Sequence, residues 1–185
     1  MKKLSTILTT VVALLLTTSL LTACDEDAQI AMTLEGTWQG RMYVYTTYGG
    51  RDYYATSTQI TFEGDPFRWS RGTGYWVDYY SGAPWDYVAN HIEWRVVNRD
   101  IEIYFREEDT SLLIADYSLN NNYFTGYIAD GDNDVEFRLQ HIDSPDYSGY
   151  HWGYSYWSRQ TRSAATATDG SSSTEKPVRH VGIKP

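Results

Sequence analysis

Apolar and polar residues alternate along most of the chain with a period of two, which is typical of β-strands. Segment 101–106 shows the pattern most clearly, since Ile101, Ile103 and Phe105 are each followed by a polar or amphipathic residue. Comparable segments, separated by glycine, asparagine, aspartate or proline, lie at about 38–45, 53–62, 67–80, 91–96, 112–119, 124–128 and 135–139. No stretch shows a helical period. The pattern therefore predicts roughly eight antiparallel strands with short connections.

A meander of this length has an edge problem, because an open sheet leaves unpaired backbone groups on both outer strands. Closure into a barrel removes these edges. About eight strands give an interior that either is filled by side chains or holds one small ligand. We predict an all-β fold, a single antiparallel up-and-down meander barrel over residues 34–142, with a β-sandwich as the alternative.

The first 23 residues follow a different pattern. Lys2 and Lys3 precede an apolar run, and small residues lie directly before Cys24. This layout predicts a secretory signal peptide over 1–23, which is too short and wrongly flanked for a spanning helix. Leu21-Thr22-Ala23-Cys24 resembles a bacterial lipobox, so we expect Cys24 to be lipidated and to attach the mature chain to a membrane. Because the chain has one cysteine, no internal disulfide forms.

The acidic run Asp25-Glu26-Asp27 follows this cysteine directly. It resembles the export tag of surface lipoproteins of the Bacteroidota, whereas in enteric bacteria an aspartate here would favour the inner membrane. A solvated linker without a sorting role is the other interpretation. We expect residues 24–33 to be a lipidated polar tether, and the protein to be an outer-membrane lipoprotein of the bacterial cell envelope, exposed at the surface.

Composition narrows the classes of partner. The net charge is −9, and removal of Lys2 and Lys3 makes the mature chain more acidic. This acidity disfavours nucleic acid and anionic lipid surfaces as partners. The chain has 17 tyrosines and seven tryptophans, which favour β-structure first and ligand stacking second.

Catalytic and metal-binding motifs are missing from the sequence. It contains no Gly-x-Ser-x-Gly, no His-Glu-x-x-His and no phosphate-binding glycine loop. The four histidines are far apart and are interpreted as solvated side chains rather than metal ligands. The acidic segment 130–134 lacks the downstream glutamate of a calcium loop and is interpreted as a hairpin turn. We therefore expect no enzymatic activity, no metal and no cofactor.

Aromatic residues are concentrated in the third predicted strand and the loop after it. Only one face of a strand points into the core, so the other rings must be exposed, covered or facing an open lumen. Ring faces suit an apolar molecule or the flat face of a sugar, although core packing is an ordinary role for each ring. The candidate ligand-binding residues are Trp69, Tyr75, Trp76, Tyr79 and Trp85.

Two further segments follow the predicted barrel. Residues 143–160 are rich in aromatic residues, and their glycines and proline argue against a helix. We expect them to form an extended or looped flap, which either covers an apolar outer face or acts as a binding platform. Residues 161–185 are rich in serine, threonine and alanine without an apolar period, which predicts a disordered polar tail.

Short motifs in the barrel segment resemble those of the lipocalins. Gly36-Thr37-Trp38 is similar to their Gly-x-Trp signature, and the resemblance implies that Trp38 plugs the closed end of an eight-stranded barrel. Asp116-Tyr117 lies near the place of a lipocalin Thr-Asp-Tyr motif, with alanine in place of the threonine. The resemblance also implies an arginine that packs on the plug tryptophan, for which Arg138 is the nearest candidate. The chain departs from the family in having no C-terminal helix pattern and no disulfide.

The combination of signal peptide, Gly-Thr-Trp strand and Gly-Thr-Gly strand is most similar to lipocalin-like (calycin-type) lipoproteins of gut Bacteroidota. This implies a barrel with a cup and transfers no ligand. The leading hypothesis is an envelope-tethered protein that binds a small apolar or aromatic ligand in the cup. The rival is an interaction or adhesion module that contacts glycan or protein through exposed aromatic residues. A lumen filled by side chains would favour the rival. The side chains that would fill it are those of Trp38, Ile92, Trp94, Phe105, Phe124 and Phe137.

Overall fold

The computed structural model describes residues 26–130, 133–155 and 177–182. Within these ranges the chain forms the helix α1 (residues 26–34) and the strands β1 (Gly36–Arg41), β2 (Val44–Tyr48), β3 (Arg51–Asp65), β4 (Arg68–Tyr80), β5 (Tyr87–Val97), β6 (Asp100–Phe105), β7 (Thr110–Ile114), β8 (Asp116–Leu119), β9 (Tyr123–Asp130), β10 (Asn133–Ile142), β11 (Gly153–Tyr154) and β12 (Val178–Val181).

The strands form an antiparallel sheet that curls back on itself. Its order is β7-β6-β5-β4-β3-β1-β10-β9-β8. The outermost strands of this path, β7 and β8, are separated along the chain by Ala115 alone, and β7 also contacts β9. The sheet is therefore nearly closed into a barrel. This confirms the predicted meander and excludes the sandwich.

The inward face of the barrel is apolar through most of its length. On β5, for example, Ile92, Trp94 and Val96 point inward and are at most 3% exposed. The six side chains whose packing would fill the lumen are all buried in one continuous core, namely Trp38, Ile92, Trp94, Phe105, Phe124 and Phe137. Side chains therefore fill the barrel interior at all six positions, which is the packing that favours the interaction module over a deep cup.

Helix α1 covers one end of the barrel, which we call the closed end. Ile30, Ala31 and Leu34 pack into the core, and the Trp38 Nε1–H donates to the Leu34 carbonyl at 2.7 Å. The prediction of a polar tether over 24–33 is therefore wrong for residues 26–33, which are helical. Only three side chains of this nine-residue helix form the buried stripe, which is too short to stand out as a period in the sequence.

The same helix holds the turn between β5 and β6. The Asp27 carboxylate accepts the backbone N–H groups of Asn98 and Arg99 at 3.0 and 2.8 Å. Both residues have positive φ, at 53° and 73°, a conformation that non-glycine residues adopt at a cost. The two hydrogen bonds therefore stabilise a strained turn and fix the helix against the barrel.

The opposite end, which we call the mouth, is covered by elements outside the barrel path. β2 pairs with β3, and β12 pairs with β2 in a register that sets Arg179 opposite Thr46. The prediction of a disordered tail is therefore wrong for Val178–Val181, which form a strand. Four residues are too few for the alternation of apolar and polar positions to be recognised in the sequence. Residues 161–176 and 183–185 of the predicted tail lie outside the described residues.

Glycines in β4 permit a close approach of strands. The pairing of β4 with β3 shifts register in two places, between Ala55 and Ser57 of β3 and again beside Gly72, where Gly64 pairs with Gly72 and Asp65 with Arg68, so that residues 69–71 of β4 are extra. A Cβ at Gly72 or Gly74 would collide with a carbonyl oxygen of β3. Glycine therefore lets β4 lie against β3 where the sheet is strongly curved.

Candidate binding site

The five candidate ligand-binding residues lie in three separate places. Trp76 and Trp85 are buried at the mouth, with exposures of 0% and 2%. Tyr75 and Tyr79 point to the outer face of β4, because neighbouring residues of a strand face opposite sides. Trp69 is 75% exposed near the hairpin between β3 and β4. The structure therefore does not bring the five together into one site.

The outer pair belongs to what we call the outer tyrosine cluster, formed where 143–155 crosses the sheet. Trp152 stacks on Tyr75 with ring centroids 5.1 Å apart, and the hydroxyls of Tyr79 and Tyr150 are 2.6 Å apart. Tyr147 bonds to Thr61 at 2.6 Å, also on the outer face. In these contacts the flap rings cover the sheet. Residues 156–160 of the predicted flap lie outside the described residues.

Of the inner pair, Trp85 packs with Tyr80 and Val88 in a separate apolar cluster. Trp76 belongs to a group that we call the mouth cluster, comprising Thr58, Trp76, Asp78, Asn90, Glu108 and Arg179. Asp78 lies on β4 two residues after Trp76, so both side chains point inward. The Asp78 carboxylate is 0% exposed and accepts hydrogen bonds from Thr58 Oγ1 at 2.6 Å and from Trp76 Nε1 at 3.0 Å. Its third donor is the Arg179 Nε, which approaches Oδ2 at 2.6 Å.

Glu108 brings a second carboxylate to the same guanidinium. It lies in the connection between β6 and β7, and its Oε2 is 3.3 Å from the Arg179 Nη1. Its Oε1 accepts from the Asn90 Nδ2 at 2.9 Å. The cluster therefore contains two carboxylates and one guanidinium, all of them partly or wholly removed from solvent.

Aromatic rings complete the surroundings of Arg179. Its Cζ lies 5.2 Å from the centre of the Trp76 ring and 4.6 Å from that of Phe105. Burial by itself would lower the pKa of the guanidinium, but the carboxylates of Asp78 and Glu108 raise it above the ordinary value. Arg179 is therefore cationic and is held by two anions and two ring faces.

Two polar atoms of the cluster are buried without a hydrogen-bond partner in the described part of the chain. They are the Asn90 Oδ1, an acceptor, and the Arg179 Nη2, a donor. Buried polar groups are normally paired, and leaving one unpaired costs about 1–3 kcal/mol. The cluster therefore retains hydrogen-bonding capacity that its own side chains do not use.

Sequence reasoning missed most of this cluster. Asp78 and Asn90 carried a usable signal, because each occupies an inward position of its strand between apolar neighbours. Such a polar residue in the buried phase of a strand points to a partner elsewhere. Arg179 gave no such signal, since it lies in a short strand after a long polar segment.

Buried phenols at and near the mouth make the fold sensitive to alkali. Burial is the main cause that raises the pKa of Tyr79, Tyr80 and Tyr154 above the ordinary 10.0, and the neighbouring Tyr150, Asp78 and Glu108 respectively raise it further. Above pH 10 the unfolded chain ionises these phenols while the folded chain keeps them neutral. Their contribution to stability is therefore present below pH 10 and is lost as the pH rises above it.

We expect the phenolate absorbance of the native protein to show a late, cooperative step that coincides with loss of folded structure above pH 10. In denaturant, all 17 tyrosines should instead titrate together near pH 10. A smooth titration of all tyrosines near pH 10 in the native protein, with circular dichroism unchanged, would contradict the burial of these phenols.

Trp38 lies at the closed end with partners that differ from those implied by the resemblance. Its ring meets Phe124 and His141 edge-on at centroid distances of 6.0 and 4.9 Å. Arg138 does not pack on it, which corrects that assignment. Arg138 is exposed on the outer face of β10, with its Cζ 5.3 Å from the Tyr123 ring centre, because β10 turns Phe137 and Leu139 inward.

Asp116 and Tyr117, the other motif of the resemblance, lie on β8. Asp116 is exposed, whereas the Tyr117 hydroxyl donates to the Arg99 carbonyl at 2.6 Å. Burial raises the pKa of Tyr117 to about 12. Tyr117 therefore acts at the closed end, where it joins β8 to the turn that Asp27 holds.

The described residues show neither a metal-binding group nor a membrane-spanning helix. No three His, Cys, Asp or Glu side chains in the described ranges lie close enough to hold a metal ion. Among residues 26–130, 133–155 and 177–182, no helix has the length and hydropathy needed to cross a membrane.

The sequence of this chain matches the model of a known protein family. The model of the lipocalin-like domain matches residues 34–126, from the end of α1 into β9. Searches of curated proteins and of solved structures each found no match. The matched segment contains the Gly-Thr-Trp strand, the meander through β8 and both carboxylates of the mouth cluster. The chain belongs to the lipocalin-like domain family.

Proposed function

We propose that this protein is a non-catalytic binding protein, tethered to the bacterial cell envelope through lipidated Cys24, that holds a small ligand at the mouth of its barrel. The observation that carries the proposal is the mouth cluster, where a buried carboxylate, a buried amide and ring faces meet. A few polar groups placed among apolar walls are typical of small-molecule sites. The core of the barrel is packed with side chains, so we place the ligand at the mouth rather than in a deep cup.

The cover of the mouth is separable from the barrel, which supports access by a ligand. Among the described strands, β12 pairs with β2 alone, and β2 lies off the barrel path. Loss of β12 would leave every ladder of the barrel path intact. Opening the mouth therefore costs the contacts of one four-residue strand and of Arg179.

The test is a screen of the full chain against neutral apolar, aromatic, anionic and cationic small molecules. Saturable binding is measured by calorimetry and located by hydrogen exchange. We expect at least one class to bind and to change exchange in β12 and the start of β5. The amides of 143–150, in the outer tyrosine cluster, serve as the internal control. Binding that maps to those amides, or no saturable binding by any class, would rule out a site at the mouth.

The tether has its own test. Replacing Cys24 by serine removes the atom that would carry the lipid, so the protein is expected to move from the membrane fraction to the soluble fraction. Thr22→Ser, two residues away, is the matched control and should remain with the membrane. If Cys24→Ser stays membrane-bound after a carbonate wash, the lipid anchor is refuted.

The second candidate is the interaction module, and exposed rings at the hairpin between β3 and β4 favour it. Phe67 and Trp69 are 87% and 75% exposed, which is unusual for large rings on a soluble surface. If the screen finds no ligand at the mouth, this hairpin becomes the place to test for glycan or protein partners.

A further inference from the structure

We propose that the ligand of the mouth is a cation with a planar guanidinium or amidinium group, and that Arg179 occupies its place while none is bound. The inference rests on the proposed function, because it assigns a ligand class to the same site. The barrel supplies the anions and rings, and β12 supplies the cation from the far end of the chain. The chain's own guanidinium thus marks the chemistry that the site accepts.

Charge is the first argument. Asp78 and Glu108 both belong to the barrel segment, and without Arg179 they would leave two carboxylates at the mouth with no cation from the mouth cluster. A buried carboxylate without a positive partner is strongly disfavoured. Even with Arg179 in place, two anions face one cation. The site therefore favours a positively charged occupant and disfavours an anionic one.

Shape is the second argument. The guanidinium offers its Nε to Asp78 and its Nη1 to Glu108, in two directions of one plane. The faces of Trp76 and Phe105 lie within cation–π distance of the same carbon. An ammonium is a compact point charge. It has no planar face to stack on the rings and no separate N–H groups that point at two carboxylates within one plane. The geometry therefore selects a planar cation over a simple amine.

The unused hydrogen-bonding capacity is the third argument. Asn90 is 0% exposed, and its Oδ1 accepts from no donor in the described residues, while the Arg179 Nη2 donates to no acceptor there. The Nη1 contact to Glu108 is long, at 3.3 Å. Arg179 is therefore an imperfect occupant. A free ligand with the same group is not restrained by β12 and can also reach the Asn90 acceptor.

Competition by the tail sets the expected affinity. A group of the same chain competes with a free ligand for one place, so it lowers the apparent affinity of that ligand. Removing the Arg179 side chain should therefore strengthen binding of a guanidinium ligand. A site unrelated to Arg179 would show no such change.

The experiment uses the full chain and ethylguanidinium, which matches the group lost in Arg179→Ala. Arg179→Ala is expected to bind it about tenfold or more tightly than the wild type does. Arg51→Ala, which removes an exposed arginine from β3, is the matched control and should behave like the wild type. Ethylammonium should bind Arg179→Ala about tenfold more weakly than ethylguanidinium, and neutral ethylurea should not bind. Adding Asp78→Asn to Arg179→Ala should abolish binding.

A second readout separates a displaceable arginine from a purely structural one. In the wild type, ethylguanidinium at about a hundredfold above the dissociation constant of Arg179→Ala should accelerate hydrogen exchange of the β12 amides. Unchanged exchange in β12, equal affinities of Arg179→Ala and Arg51→Ala, or equal binding of ethylurea would each overturn the inference. If Arg179→Ala does not fold, Arg179→Lys keeps the charge without the fork and should still bind ethylguanidinium more tightly than the wild type.

These outcomes are distinct from failure of the proposed function. A neutral or apolar molecule that binds at the mouth while ethylguanidinium does not would leave the binding function standing and refute the cationic ligand. No binding of any class would refute both.

Discussion

Replacing Trp38 by alanine is expected to lower the free energy of unfolding by about 3–5 kcal/mol, because it removes a fully buried large ring and leaves a cavity. The ring also carries the hydrogen bond to Leu34, so its loss weakens the attachment of α1 to the barrel. The measurement is the denaturant midpoint of the full chain, with the slope of the transition checked for constancy.

Trp69→Ala is the matched control for this change. It removes the same side chain from a position that is 75% exposed, where surface substitutions usually change stability by no more than about 0.5 kcal/mol. Equal midpoint shifts for the two variants would show that Trp38 does not hold the closed end.

Replacing Asp78 by alanine is expected to cost about 3–5 kcal/mol, the range for removing one partner of a buried ion pair. The Arg179 side chain is 2% exposed and would keep only the long contact to Glu108. The Trp76 Nε1 and the Thr58 hydroxyl would also lose their acceptor. Stability is again read from the denaturant midpoint.

The exposed pair of Arg106 and Glu93 provides the comparison, since both side chains are about half exposed and Arg106→Ala should cost less than about 1 kcal/mol. In addition, Asp78→Ala with Arg179→Met should be less destabilised than the sum of the single changes, because Arg179→Met removes the buried guanidinium that Asp78→Ala leaves without its main partner. Strict additivity would mean that Asp78 and Arg179 do not interact in solution.

The barrel could be predicted from the sequence because its signal is local. Successive residues of a strand alternate between the buried and the outer face. The apolar residues Ile101, Ile103 and Phe105 therefore identify the buried face of β6 within a six-residue segment. The same rule shows why the candidate ligand site was too broad. Tyr75 and Trp76 are neighbours on one strand, and they therefore had to face opposite sides of the sheet.

The mouth cluster could not be predicted in this way, because its members come from distant parts of the chain. Asp78 lies on β4, Asn90 on β5 and Glu108 in the connection after β6. They come together only when β4, β5 and β6 have paired. Arg179 is 101 positions from its partner Asp78 and lies in a strand of four residues. Such a contact depends on tertiary structure, and composition or period carries no trace of it.

The position of α1 has a consequence for how the protein is presented. The helix lies at the closed end, and the chain runs from its first residues back toward Cys24. Glu35, directly after it, lies beside Gly64 near the end of β3, where a Cβ on that glycine would meet the Glu35 carboxylate. If Cys24 carries the proposed lipid, the closed end would lie nearer the bilayer than the mouth, so that a ligand of the mouth would reach its site from the surrounding medium.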